Sequence, residues 1–338
     1  MSKWKTPRRA TLVFRVLLVG LLAVAAACGS EAPSDTTNAD AGGAADATEG
    51  DALAKLTACR ATPGCACNGH PDLCDRPMNL VVFPAAHNAM SNSEEGWKFA
   101  NHNFGLKKQL EDGVRGFLLD TYSWQNEDDS STTSWLCHGS CLLGHIKLVD
   151  ALQVFTDFLA KHPDEVLIFV VQDALPTADF AQAMTESGLL PYAMTLPESL
   201  KNGADLPSMR AIIKSGKRLL VTTEHTGGPP AWIHRFNAIG FDTPYSFKSM
   251  EALEQDTGDQ DSCRKFRGTA GASLFLVNHW VAKVLPTQTL SEQANVREVI
   301  VDRAQRCAKK HGRLPTLLAV DHYDVGDLFG AVRELNGL

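Results

Sequence analysis

Histidines and carboxylates recur at the ends of short apolar runs along this sequence. His87 and Asn88 follow "NLVVFPAA", Asp120 and Tyr122 close "GVRGFLLDTY", and His138 stands in "SWLCHG". Gln172 and Asp173 end "EVLIFVVQD", Glu224 and His225 follow "KRLLVTT", Asn278 and His279 end "ASLFLVNH", and Asp321 and His322 follow "PTLLAV". A single histidine in such a place is most often structural. Two histidines and a carboxylate on one rim, however, supply a general base, a general acid and a group that orients one imidazole. That set suits phosphodiester cleavage, in which one imidazole takes a proton from an attacking hydroxyl while the other protonates the leaving oxygen.

The elements that must position these residues follow from periodicity. Each run holds four to eight mostly branched or aromatic apolar residues bounded by turn or charged residues, the pattern of a strand buried on both faces. Between them lie helical patterns: "LVDALQVFTDFLAKHPDE" stops at His162-Pro163, "TADFAQAMTESG" closes on Gly188, and "SEQANVREVIVDRAQRCAKKHG" runs from a serine cap to Gly312. Repeated strand-then-helix predicts an α/β fold with a parallel sheet covered by helices. Seven candidate strands, with an eighth sought in "LLPYAMTL", fit a closed, if irregular, (β/α)₈ barrel. A doubly wound nucleotide-binding sheet would need a glycine-rich turn after its first strand, and "FPAAHNAM" has none. In a barrel, the carboxyl ends of the strands form the active site.

The 338 residues are 44% hydrophobic and 21% charged, with a formal net charge of −7 and no zinc-finger or phosphate-loop motif, so no nucleic-acid partner is expected. At the N-terminus, cationic "MSKWKTPRR", apolar "LVFRVLLVGLLAVAAA" and Cys28 form an export signal over residues 1–28, with Cys28 as the lipidated cysteine of a bacterial lipoprotein. Residues 29–54 carry no large apolar side chain except Leu53 and form a flexible tether. Residues 55–338 form the barrel domain, beginning with a cysteine-rich extension over 55–77. This organisation places a monomer outside the cell, held to the envelope by lipid. Apart from Cys28 the cysteines are even in number, and disulfides are expected in an oxidising compartment, with Cys137–Cys141 and Cys263–Cys307 as candidate pairs. Zinc binding by "CRATPGCACNGHPDLC" is the alternative, but that stretch lacks a clean pair of C-x-x-C knuckles.

"AAHNAM", "QLEDGVRGFLLDTY", "WLCHGSC", "KLVDALQVFTDFLAKHPDEVLIFVVQD", "LFLVNHW" and "LPTLLAVDHYDVGDLF" resemble, in that order, the X-domain of phosphatidylinositol-specific phospholipase C in its bacterial and fungal single-domain form. The resemblance runs from about Met78 to the C-terminus. It implies a distorted TIM barrel in which the inositol 2-hydroxyl of a membrane phospholipid attacks the phosphate, releasing diacylglycerol and a cyclic inositol phosphate. It makes His87 the general base, His138 the general acid and Asp321 the carboxylate that orients the base. Asn88, Arg115, Asp120, Tyr122, Asn278 and His279 become substrate-binding positions, with a structural ion pair as the alternative for Arg115. Calcium-dependent relatives carry several carboxylates near the phosphate. Leu118 and Gln172 stand at corresponding places here, which leaves Asn88, Asp120 and Asp173 for a weak calcium ion. Metal-independent relatives place an arginine two residues after the acidic position, where this chain has Tyr122. The source of charge neutralisation is therefore open. So are two other functions: a barrel that binds headgroups or glycans without turnover, and a metal-dependent phosphodiesterase for another phospholipid.

Overall fold

Strands apolar on both faces must be covered on both sides, and this requirement organises the molecule. The computed structural model describes residues 65–338 apart from 198, 201, 202 and 282–284; the export signal, Cys28 and the tether lie outside the described residues. Ten strands follow in chain order: β1 (Phe83–Ala86), β2 (Gly116–Ser123), β3 (Ser134–Cys137), β4 (His145–Lys147), β5 (Leu167–Asp173), β6 (Leu219–Thr223), β7 (Ile233–Arg235), β8 (Gly240–Asp242), β9 (Leu274–Asn278) and β10 (Leu317–Val320). Eight of them are parallel neighbours in the order β7-β6-β5-β2-β1-β10-β9-β8. The sheet curls as a distorted TIM barrel whose seam lies between the outermost strands, β7 and β8.

Side chains alternate across this sheet as its pleat requires. Phe117, Leu119, Phe169 and Val171 pack outward with Leu152, Phe155 and Leu159 of the helix Leu148–Lys161. Leu118, Ile168, Val170, Leu276 and Leu317 belong to a second, inner cluster, which Leu73 of the cysteine-rich extension and Met78 just after it join.

The structure departs from the expected elements in three places. "SWLCHG" is not a barrel strand: β3 pairs antiparallel with β2 and β4, forming a hairpin appended to the barrel. "LLPYAMTL" forms a 3₁₀ turn, Leu190–Tyr192, and a single bridge from Ala193 to Leu219; the additional parallel strands are instead β7 and β8, of three residues each. The long C-terminal helix is two helices, Gln288–Ala294 and Arg297–His311, the first capped by Thr287. Asn295 breaks them apart and turns its amide to the carbonyls of Asp321 and His322. Cys137–Cys141 and Cys263–Cys307 are disulfides, as is Cys67–Cys74, and Cys65 is also disulfide-bonded, so these cysteines of the zinc-like stretch are in bridges.

Gly116 of β2 sits directly against Ala85 of β1 and Leu317 of β10. A Cβ there would lie 2.4 Å from a methyl of Leu317 and 2.7 Å from the Ala85 Cβ. Overpacking a closed core costs about 1–3 kcal/mol. Gly116→Ala should lower the unfolding free energy in urea by about that amount, and wild-type stability in this variant would show that the strands separate without cost.

Candidate active site

A cavity of about 530 Å³ opens at the carboxyl ends of the strands. Its chemistry starts from one register. Ala86 of β1 pairs with Val320 of β10, so His87 and Asp321, each one residue beyond its strand, stand side by side although 234 positions separate them. His87 Nδ1–H donates to Asp321 Oδ1 at 2.8 Å, which leaves Nε2 for the cavity. The imidazole is also stacked on Trp280, with centroids 3.6 Å apart and planes 8° from parallel. Asn101 donates its amide to the same Asp321 oxygen at 2.9 Å. Burial pushes the Asp321 carboxyl up, but the charge and hydrogen bond of His87, with help from His102 and Asn101, outweigh it and hold the group below its ordinary range.

His138 faces this pair from the appended hairpin, one residue past β3. The Asn88 amide nitrogen lies 3.1 Å from His138 Nε2, a hydrogen bond when that nitrogen accepts and the ring is neutral. Burial and the neighbouring His87 lower the His138 pKa, with Asp321 opposing. Asn88 reaches this position in the left-handed conformation, φ 50°, which asparagine tolerates better than most residues.

The opposite wall carries Glu224, Tyr245 and Arg267, while Asp120 and Asn278 lie toward the carboxyl ends of β2 and β9, the strands that flank β1 and β10. Arg267 bridges Glu224 at 3.0 Å and the fully buried Asp242 at 2.6 Å, with its guanidinium over the Tyr245 ring. Burial, reinforced by Glu224 and opposed by His87, pushes the Asp120 carboxyl up to about 7.

Of the residues expected in the site, His87, Asn88, Asp120, Tyr122, His138 and Asn278 line the cavity, and Asp321 supports it from behind. Three others are placed elsewhere. Arg115 precedes β2, at the opposite end of the strands, where it pairs with Glu165 at 2.6 Å and donates to the carbonyls of Leu110 and Val114; it is the structural ion pair. His279 is buried behind the wall, between the Ala294 carbonyl and Arg303, because adjacent strand residues point to opposite faces. Asp173 turns away to accept from His225 and Thr226. The expected calcium set therefore does not converge. Calcium takes six to eight oxygens, Glu224 is committed to Arg267, and among the described residues no group of three or more His, Cys, Asp or Glu is placed to hold a metal ion. These residues do not fit calcium.

Sequence reasoning missed four contributors. Trp280 was visible two residues after Asn278, on the same strand parity. Arg267, Asn101 and His102 lie on segments without periodic pattern. His102 is fully buried, with Nε2–H donating to the His87 carbonyl at 2.7 Å and Nδ1 facing the Tyr323 amide. Burial lowers its pKa from 6.5 to about 4. The unfolded chain binds the proton first, so this neutral ring stabilises the fold fully above pH 6.5, and the contribution falls away as pH drops toward 4. His102→Gln keeps a donor without a titration; between pH 6.5 and 4 the stability slope should shrink by about 1.4 kcal/mol per pH unit. An unchanged slope would exclude His102 as its source.

Comparison with known proteins agrees with this architecture. The family model described as PI-PLC X 1 matches residues 73–336. A protein of Arthroderma benhamiae described as PI-PLC X domain-containing protein 1 is 29% identical over 289 residues, covering 80% of this chain and 90% of the relative. An Arabidopsis thaliana PI-PLC X domain-containing protein is 25% identical, covering 77% of this chain and 63% of its own length. A second Arthroderma benhamiae relative, 27% identical, covering 80% of this chain and 62% of its own length, is described as an uncharacterized secreted protein. Among solved structures, the phosphatidylinositol-specific phospholipase C from Listeria monocytogenes shares the fold, with a TM-score of 0.52 at 16% identity, covering 81% of this chain and 99% of that one.

Proposed function

Because the chain belongs to the PI-PLC X-domain family, we propose that it is a phosphodiesterase that cleaves phosphatidylinositol-type phospholipids by histidine acid–base catalysis. The observation that carries this reading is the His87–Asp321 pair facing His138 across one cavity. His87 Nε2 takes the proton of the inositol 2-hydroxyl, whose oxygen forms a new bond to phosphorus. The bond from phosphorus to the diacylglycerol oxygen breaks, and His138 gives that oxygen its proton. The products are diacylglycerol and a cyclic inositol phosphate. Asp321 fixes the tautomer of His87 and stabilises the imidazolium that forms, and the Trp280 face favours the same charged state.

The far wall bears on the headgroup. Among the described residues lining the cavity, Arg267 is the only arginine or lysine, and it is paired with Glu224 and Asp242, while Asp120 in the same cavity carries no cationic partner among the lining arginines and lysines. Carboxylates accept hydrogen bonds from ring hydroxyls and repel further phosphates. Phe99 and Leu142, 55% and 82% exposed, belong to loops that follow β1 and β3 and offer apolar contact to a lipid surface. The disulfides and a relative described as secreted support export. Anchoring through a lipidated Cys28 belongs to the same reading. Among the described residues no helix is long and apolar enough to cross a membrane.

Release of water-soluble phosphate from labelled phosphatidylinositol tests the mechanism. His87→Ala and His138→Ala should each lower turnover by about 10²–10⁴-fold; unchanged turnover in both would sink it, and headgroup binding without turnover by the wild type would favour a binding barrel. Phosphatidylinositol carrying an additional ring phosphate should be cleaved at least about tenfold more slowly, the equivalent of about 1.4 kcal/mol in the barrier. Equal rates would remove the electrostatic argument for the headgroup.

A further inference from the structure

We propose that the Cys137–Cys141 disulfide is a positioning device for His138, holding the leaving-group acid in register with the base; the proposal rests on the reading of His138 as that acid. Base and acid are mounted differently. His87 and Asp321 follow β1 and β10, which are neighbours in the barrel. His138 follows β3, a four-residue strand outside the barrel path whose partners are β2 and the three-residue β4. The disulfide closes a ring over Cys137-His138-Gly139-Ser140-Cys141, so the histidine lies inside the cross-linked loop itself.

The local contacts show how much falls to this link. Gly139 turns the loop at φ 68°, and Ser140 N–H donates to the His138 carbonyl at 2.8 Å. Cys137 and Cys141 are buried with Trp135 in a small cluster of their own, separate from the two barrel cores. Beyond the loop, Asn88 meets the His138 ring and the Tyr122 hydroxyl meets the Gly139 backbone. Opening the ring leaves those two side-chain contacts, the His145 Nδ1–H donated to the Cys141 carbonyl at 2.8 Å, the Lys98 amide donated to the Leu143 carbonyl at 2.7 Å and a short hairpin; none of these constrains the His138 backbone between its two flanking residues as the ring does. A misplacement of about 1 Å can cost on the order of 10²-fold in rate. The loss should fall on the protonation step alone, because the strands that carry the base do not include β3.

The test compares two substrates on one preparation, so that the fraction of folded enzyme cancels. One is phosphatidylinositol; the other is the 4-nitrophenyl phosphodiester of inositol, whose leaving group needs no proton. In Cys137→Ala/Cys141→Ala, kcat for the phospholipid should fall about 10–100-fold while kcat for the nitrophenyl ester falls less than about threefold, shifting the ratio in the direction of His138→Ala. Cys141→Ala alone opens the same ring with Cys137 still buried and should do the same. Cys263→Ala/Cys307→Ala, which removes a bridge remote from the hairpin, should keep the wild-type ratio. Unchanged rates, or equal loss on both substrates, would overturn the positioning role while leaving the acid–base reading intact. A wild-type enzyme that turns over neither substrate would overturn that reading and this proposal with it.

Discussion

The hydrogen bond between His87 and Asp321 depends on the register of two neighbouring strands, and much of the upper barrel is arranged to keep that register. A slip of one residue between β1 and β10 would put the two side chains on opposite faces of the sheet. Gly116 lets the strands approach, and the His87 amide continues the ladder by donating to the Val320 carbonyl. Beyond the strands the chain departs from regular geometry: Asn88 and His322, the residues immediately after the pair, are both left-handed, at φ 50° and 46°. Such conformations persist where surrounding contacts over-determine them. Here the contacts are specific: His102 holds the His87 carbonyl, Asn101 accepts from the His322 amide, and Asn295 gives up helical continuity to bind the carbonyls of Asp321 and His322.

Electrostatics divides the cavity into two halves. Around His87 the buried Asp321 carboxylate takes two donors on Oδ1 and the charge of His87, so it stays ionised behind the imidazole. In the rest of the cavity Asp120, Glu224 and Asp242 outnumber the one guanidinium that two of them share. Asp120, left beside Glu224 in a recessed wall, is pushed up to about 7, which makes it able to accept or donate near neutral pH. A wall of this kind is suited to hydroxyl groups. It is poorly suited to a hard divalent cation, because Arg267 already takes up Glu224 and Asp242, and Asp173 is spent on its own loop.

How far the sequence was legible follows from what its pattern encodes. Runs apolar on both faces marked β1, β2, β5, β6, β9 and β10, and the residues at their carboxyl ends include most of the cavity lining. Three-residue strands such as β7 and β8 are too short to register as runs. Periodicity also says nothing of a strand's partner or direction, so β3 read like its neighbours although it runs antiparallel. Parity accounts for other differences. Leu118, Asp120 and Tyr122 share one face of β2 and all reach the cavity; Asn278 and Trp280 share a face, and His279 between them takes the other. Arg115 stands before its strand rather than after it, at the end remote from the chemistry. Arg267 carried no signal because its loop has no period, and tertiary partners, Asp242, Glu224 and the Tyr245 ring, fix where it points.

The appended hairpin changes how the two halves of the proposed reaction relate. The ring hydroxyl to be deprotonated and the ring itself would sit inside the barrel, where β1, β10 and the far wall set their geometry together. In that reaction the leaving oxygen would belong to the lipid and lie toward the rim, where Leu142 follows Cys141 directly on the same loop. Mounting the acid on that loop ties proton delivery to the segment nearest the lipid, while the base remains tied to the headgroup. Such an arrangement needs local rigidity at the rim that parallel strand pairing does not supply to β3. A cross-link enclosing the acid supplies it without placing any further side chain in the cavity.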